Sequence, residues 1–175
     1  MSRVSPLEPE TPEARALIDS IAAGYGRATN MKRTLARSPV ALGALMSWYD
    51  LRAELISFLD ERLVTLFAYS ISSRTDCLVC STFFRRILIE RGESPEALHT
   101  SDWEQDVMSY GRQLAVDPNG VSDGLYARLA ARLTPEQIIT LTTFAGLMVA
   151  TNLFNNALRV DLDPDLVPYR KEEDP

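Results

Sequence analysis

No stretch of this chain alternates apolar and polar residues for long enough to make a half-buried strand, and that constrains the fold more than any other feature. What recurs instead is the spacing of three, four and seven that lays apolar side chains along one face of a helix. Pro12-Glu13 opens such a run through Leu17, Ile18 and Ile21, which stops at Gly24 and Gly26. Ser38-Pro39 predicts a second helix through Leu42, Met46 and Tyr49 that continues toward Phe58, and Asp60 is placed to cap a third carrying Leu63 to Ile71. Asp76 precedes a fourth run that ends at Gly92, Ser94-Pro95-Glu96 starts a short helical turn, and Asp102 to Val116 and Ser122 to Leu133 follow. Thr134-Pro135-Glu136-Gln137 combines a cap, a first-turn proline and a capping-box Gln ahead of a long helix to about Val160. The expected architecture is all-α, a single-domain helical bundle of about seven or eight helices over residues 1–175. Its core lies at about 35–166, between extended ends at 1–11 and 161–175.

Charge and punctuation narrow the functional classes. The net charge is -6 and no stripe of Lys or Arg exists, so a nucleic-acid partner is not expected. Lys32-Arg33 and Arg85-Arg86 read as isolated, solvated helix positions. The N-terminus carries Pro and Glu where a signal peptide needs an apolar core, and Ile138 to Val149, the longest apolar-rich segment, is short for a bilayer and broken by threonines. No membrane partner and a cytoplasmic location are therefore the expectation.

The one stretch with chemical content is TDCLVCSTFF, residues 75–84, which holds the only two cysteines of the chain at C-x-x-C spacing. With Asp76 as N-cap, Cys77 would be the first helical residue and Cys80 the fourth. The helix start favours a thiolate there, and both sulfurs share one face. Cys77 is expected to be the more exposed thiol and Cys80 the more buried. The Asp76 carboxylate works against ionisation of Cys77 unless capping occupies it. Two small buried cysteines in a core would give the same pattern. A metal is not expected, because two thiolates with no nearby His leave two of the usual four zinc positions empty. No cofactor is implied either. A thioredoxin-type reading fails because no strand precedes the motif.

Around this motif, LARSPVALGALMSWYDLR, LDERLVTLFAYSISSRTDCLVC, ERGESPEAL and LTPEQIITLTTFAGLMVATNLFNNAL together resemble the carboxymuconolactone decarboxylase family, in its alkylhydroperoxidase D-like, peroxidase-related branch. The resemblance runs from about Leu35 to Leu166 and implies the same all-helical fold. It implies a thiol-dependent oxidoreductase that reduces a peroxide or a disulfide, in which Cys77 exchanges with a partner thiol and Cys80 attacks peroxide and closes the disulfide. The implied partners are a small peroxide, a thiol reductant protein and further copies of the chain as a dimer, trimer or hexamer.

The family's peroxidase motif also places a Glu twelve residues before the first Cys and a His four after the second, and here those positions hold Thr65 and Phe84. Neither can relay a proton, and an unassisted thiol of pKa ~8.5 is only a few per cent thiolate at neutral pH. Glu61 and Tyr69, one turn either side of Thr65, are auxiliary candidates, with surface and core roles as their plainer alternatives. His99, the sole histidine, reads as a surface turn residue. Lactone decarboxylation needs a proton-transferring His and is disfavoured on the same ground. The alternatives to an enzyme are a non-enzymatic or redox-sensing helical oligomer and, more remotely, a small-ligand pocket lined by Trp48, Phe83 and Phe84, aromatics that more often simply fill a core.

Overall fold

A computed structural model describes residues 2–171; of the expected extended ends, residue 1 and residues 172–175 lie outside the described residues. Among the described residues every regular element is helical. The α-helices are α1 (Pro12–Tyr25), α2 (Asn30–Leu35), α3 (Pro39–Met46), α4 (Trp48–Phe58), α5 (Glu61–Arg74), α6 (Leu78–Glu90), α7 (Asp102–Leu114), α8 (Asp123–Ala130) and α9 (Pro135–Leu158), with 3-10 turns at Pro118–Gly120 and Pro164–Tyr169.

Most boundaries follow from local chemistry. Asp60 accepts from the Leu63 N–H at 2.8 Å to start α5, and Thr134 with Gln137 forms a reciprocal capping box at α9. Gly92, at φ 81°, ends α6 in the left-handed conformation with the Glu93 N–H on the Leu88 carbonyl.

Three expectations are corrected. The single helix over 39–58 is two, because Ser47 turns its hydroxyl onto the Ala44 carbonyl at 2.7 Å and breaks the run between α3 and α4. The additional helix α2 is too short to show a period and is set by Thr29 capping Lys32. At Ser94-Pro95-Glu96 there is one hydrogen-bonded turn, Ala97 N–H to Ser94 carbonyl, and no helix.

The core is built on α5, which buries Leu63, Val64, Leu66, Phe67, Ala68 and Ile71 and is flanked by α6, α7 and α9. At the crossing with α7 the α5 side chains press so closely on Gly111 that a Cβ there would lie 2.7 Å from Phe67 Cε2 and 3.0 Å from Ile71 Cγ1. Phe67 is fully buried and its ring has nowhere to retreat. Gly111→Ala is therefore expected to destabilise the fold by about 1–3 kcal/mol by overpacking, more than the roughly 1 kcal/mol that alanine gains in helix propensity. Urea unfolding of the variant checks this.

By length and composition α9, at 24 residues, is long and apolar enough to cross a membrane, unlike the shorter segment read from sequence. It turns Leu141, Phe144, Met148, Asn152 and Asn155 into the protein interior. Beyond α9 the chain wraps α6: Arg85 Nε donates to the Tyr169 carbonyl at 2.9 Å, Arg86 pairs with Asp165 at 3.0 Å, and the Tyr169 hydroxyl donates to Glu90 at 3.0 Å. Arg85 is thus buried, not solvated as the sequence suggested, because its guanidinium group ties this terminal segment to Glu96.

Candidate functional site

The turn between α5 and α6 places the cysteines, and it does so one residue out of the expected register. Asp76 adopts φ 51° and closes α5: its N–H reaches the Ser73 carbonyl, and the Cys77 N–H reaches the Ser72 carbonyl at 3.0 Å. Asp is among the few side chains that tolerate this left-handed geometry. Asp76 therefore ends one helix, and Cys77 itself is the N-cap of the next, with Cys80 three residues on. Helix starts leave the N–H groups of such positions without intrahelical partners, and the Val79 and Cys80 N–H groups lie beside the Cys77 sulfur.

The expected exposure of Cys77 is not found: it is 0% exposed, and Cys80, at 7%, is buried as well. Both are free thiols, and they lie close enough for each to shift the other's ionisation. Donation from Cys80, helped by the helix-start N–H groups, holds Cys77 below the ordinary thiol range against the opposing effect of burial. The Cys77 sulfur in turn pushes Cys80 well above that range, and burial adds to it. The pair thus stabilises a first thiolate and resists a second.

Helix α9 clamps this turn with three amides that the sequence reading did not single out. Asn152 Nδ2 donates to Thr75 Oγ1 at 2.8 Å and Asn156 Nδ2 to the Thr75 carbonyl at 2.9 Å. Asn155 Nδ2 donates to Cys80 Sγ at 3.2 Å and to Met31 Sδ at 3.5 Å. Their signal in the sequence is weak but present: polar residues spaced three and four apart on an otherwise apolar helix.

Cys80 opens on a cavity of about 210 Å³. Phe83, Phe84 and Ile87 of α6 form one wall and Trp48 and Tyr49 of α4 another, closed by Met31 and Met148. The aromatic surfaces are mutually braced, Phe83 edge-on to Phe84 at 5.2 Å and Trp48 edge-on to Tyr49 at 5.0 Å, with the Trp48 indole N–H on Met148 Sδ at 2.8 Å. Trp48, Phe83 and Phe84, grouped in the sequence as a remote pocket possibility, all line it.

The other candidates are not brought together. Thr65 is buried and its hydroxyl closes back on the Glu61 carbonyl at 2.8 Å. Glu61 is a surface residue, paired with Arg52 at 2.8 Å and Arg91 at 2.6 Å, and both hold its carboxyl below the usual range. Tyr69 lines a separate outer groove beside Arg85. His99 is exposed, and its carbonyl accepts from Arg62. Only Phe84 of the auxiliary set shares the cavity with Cys80.

The cavity does hold charge that the sequence placed in solvent. Lys32 is 5% exposed, with its amine on the carbonyls of Tyr25 and Arg27 and over the Tyr49 ring. Burial lowers its pKa from 10.5 to about 8, with Asp163 acting in the opposite sense. The folded pKa is below the unfolded one, so the buried ammonium destabilises the fold below pH 8, and that cost disappears as pH rises to 10.5. Any stability gained by Lys32→Met at neutral pH is thus expected to shrink by about 3 kcal/mol at alkaline pH. Paired denaturation curves across that interval measure the difference.

No protein-family model matches the chain, and no curated protein matches it. Solved structures do. The debrominase Bmp8 superposes with a TM-score of 0.73 at 17% identity over 95% of each chain, and a cysteine-to-alanine variant of that protein, in complex with 2,3,4-tribromopyrrole, matches equally well in TM-score. The alkylhydroperoxidase AhpD core of a peroxidase-related protein from Ralstonia eutropha gives 0.74 at 16% identity over 94% of each chain. A peroxidase-related protein from Silicibacter gives 0.70 at 11% identity, over 91% of this chain and 89% of that one. The chain therefore has the fold of AhpD-like, peroxidase-related proteins.

Proposed function

We propose that this protein is a dithiol-dependent reductase that delivers two electrons from Cys77 and Cys80 to a small electrophile held in the aromatic cavity. One observation carries the reading: Cys80 forms part of the cavity wall, and Cys77, buried behind it, is close enough to shift its ionisation. With an organic hydroperoxide, the Cys80 thiolate takes the terminal oxygen, the O–O bond breaks and the alkoxide leaves as the alcohol. The Cys77 thiolate then attacks the sulfenic sulfur, the S–S bond forms and water leaves. One hydroperoxide and two thiols become one alcohol, one water and one disulfide, which an external thiol reductant must reopen.

The aromatic lining, together with the shared fold of a debrominase, favours a second substrate for the same dithiol, a halogenated ring. There the ring carbon exchanges halogen for hydrogen, and two thiols become a disulfide with release of halide and a proton.

Reduced protein mixed anaerobically with one equivalent of cumene hydroperoxide or 2,3,4-tribromopyrrole tests both. Loss of two thiols per chain with one alcohol or one bromide formed is the expected result. A protein inert to both would be a helical scaffold whose cysteines do no redox work.

A further inference from the structure

The polar end of the cavity has no role in the dithiol reaction. Arg27 is claimed by Asp163 and Asp165, and Arg52 by Glu61. Lys32 has no carboxylate within ion-pair distance among the described residues. Its amine is held by two neutral carbonyls, Tyr25 and Arg27, the latter at 3.0 Å, and lies 5.2 Å from the Tyr49 ring centre. Asp163, on the same cavity, is engaged through Oδ1 by the Asn30 N–H at 3.0 Å and by Arg27 at 3.2 Å, while its buried Oδ2 has no hydrogen-bond partner, so an anion would have to bind on the Lys32 side. A buried ammonium satisfied only by neutral groups is unfavourable, and an anion that reaches it relieves that cost.

Size selects the rest of the ligand. The 210 Å³ cavity exceeds the ~150 Å³ that accommodates benzene and is smaller than the ~300 Å³ at which pockets for drug-sized molecules begin. It suits one substituted ring. From the aromatic walls, this volume and the buried amine we infer that the cavity binds a single-ring weak acid as its anion, an electron-poor phenol or pyrrole that ionises readily and whose negative charge is met by Lys32. That such a ring is also a substrate rests on the dithiol reading; that it binds does not.

The test is calorimetric binding to the full chain carrying Cys80→Ser, which separates binding from turnover. The probes are 2,4,6-trichlorophenol and its methyl ether, 2,4,6-trichloroanisole. The phenol is expected to bind at least tenfold more tightly at pH 7.5, and Lys32→Met to remove that preference while changing the affinity for the ether less than twofold. Affinity for the phenol should rise as it ionises and fall again as Lys32 loses its proton near pH 8. The ionisable groups around that amine are Arg27, Tyr25, Tyr49, Arg52, Cys80 and Asp163.

Equal affinities in the lysine-bearing protein, or no binding of either probe, overturn the inference whether or not the methionine variant folds; a preference that survives in a folded Lys32→Met protein also does so. Turnover of hydroperoxide by the parent without phenol selectivity would sink this inference alone. Selective phenol binding by a protein inert to both electrophiles would sink the dithiol reading alone.

Discussion

Cys80→Ser is expected to reduce substrate-dependent oxidation at least ~10³-fold, to the uncatalysed background, whereas Cys77→Ser should still complete one reaction per chain. The asymmetry comes from position. Cys80 is the sulfur that lines the cavity, and Cys77 is sealed at 0% exposure behind it. Serine at 80 keeps a group able to accept from Asn155, so the local packing survives, but a hydroxyl with no base beside it is not a nucleophile at neutral pH. Serine at 77 leaves Cys80 without a resolving partner, and its oxidised product should accumulate as a sulfenic acid that dimedone traps. The first step should not slow in Cys77→Ser, because the neighbour that pushes the Cys80 pKa upward has been replaced by a hydroxyl that donates to the thiolate. Thiol counts and mass spectrometry after one equivalent of cumene hydroperoxide read both variants. An active Cys80→Ser beside an inert Cys77→Ser would reverse the roles of the two sulfurs.

Which parts of this arrangement could be read from the sequence follows from the range of each interaction. Caps act over three or four residues, so Asp60 and Thr134 mark α5 and α9 with no knowledge of the tertiary structure. The cysteine pair and its neighbour Phe84 are legible for the same reason, since two successive helical turns carry all three. The error at Asp76 is instructive: an acidic residue before a helix normally caps it, but here the preceding helix needed a left-handed residue to end on, and that demand won.

What escaped notice depends on contacts between distant segments. Asn155 meets Cys80 across 75 residues of chain, and Asn152 meets Thr75 across 77. Lys32 looks like one half of a solvated pair until the end of α1 offers its carbonyls to the amine and α4 lays an aromatic ring beside it. Nothing within four residues of Lys32 announces its burial.

Phe84→His is expected to accelerate oxidation of the dithiol at pH 7 by ~10–100-fold. Residue 84 is one turn beyond Cys80 on the same helix face and lines the same cavity, and α6 offers that cavity no acid or base other than the thiol. With Cys80 pushed well above the usual thiol range, proton loss limits the formation of its thiolate at neutral pH. An imidazole at 84 would take that proton. Positioned bases contribute 10²–10⁴-fold in evolved sites, and the lower end applies where nothing orients the ring.

The direction of the pH dependence discriminates further. The parent rate should climb with pH through the thiol range, while the variant, whose base is neutral above pH ~6.5, should be nearly flat from there upward, so that the two profiles converge at alkaline pH. Stability moves the other way. Phe84 is 4% exposed and packs edge-on against Phe83, so replacing it is expected to cost about 2–4 kcal/mol in urea unfolding. Stopped-flow oxidation of folded variant and parent from pH 6 to 10 decides the matter. Parallel profiles would mean that proton removal from Cys80 is not the slow step, and that access through the ring of Trp48, Tyr49 and Phe83 sets the rate instead.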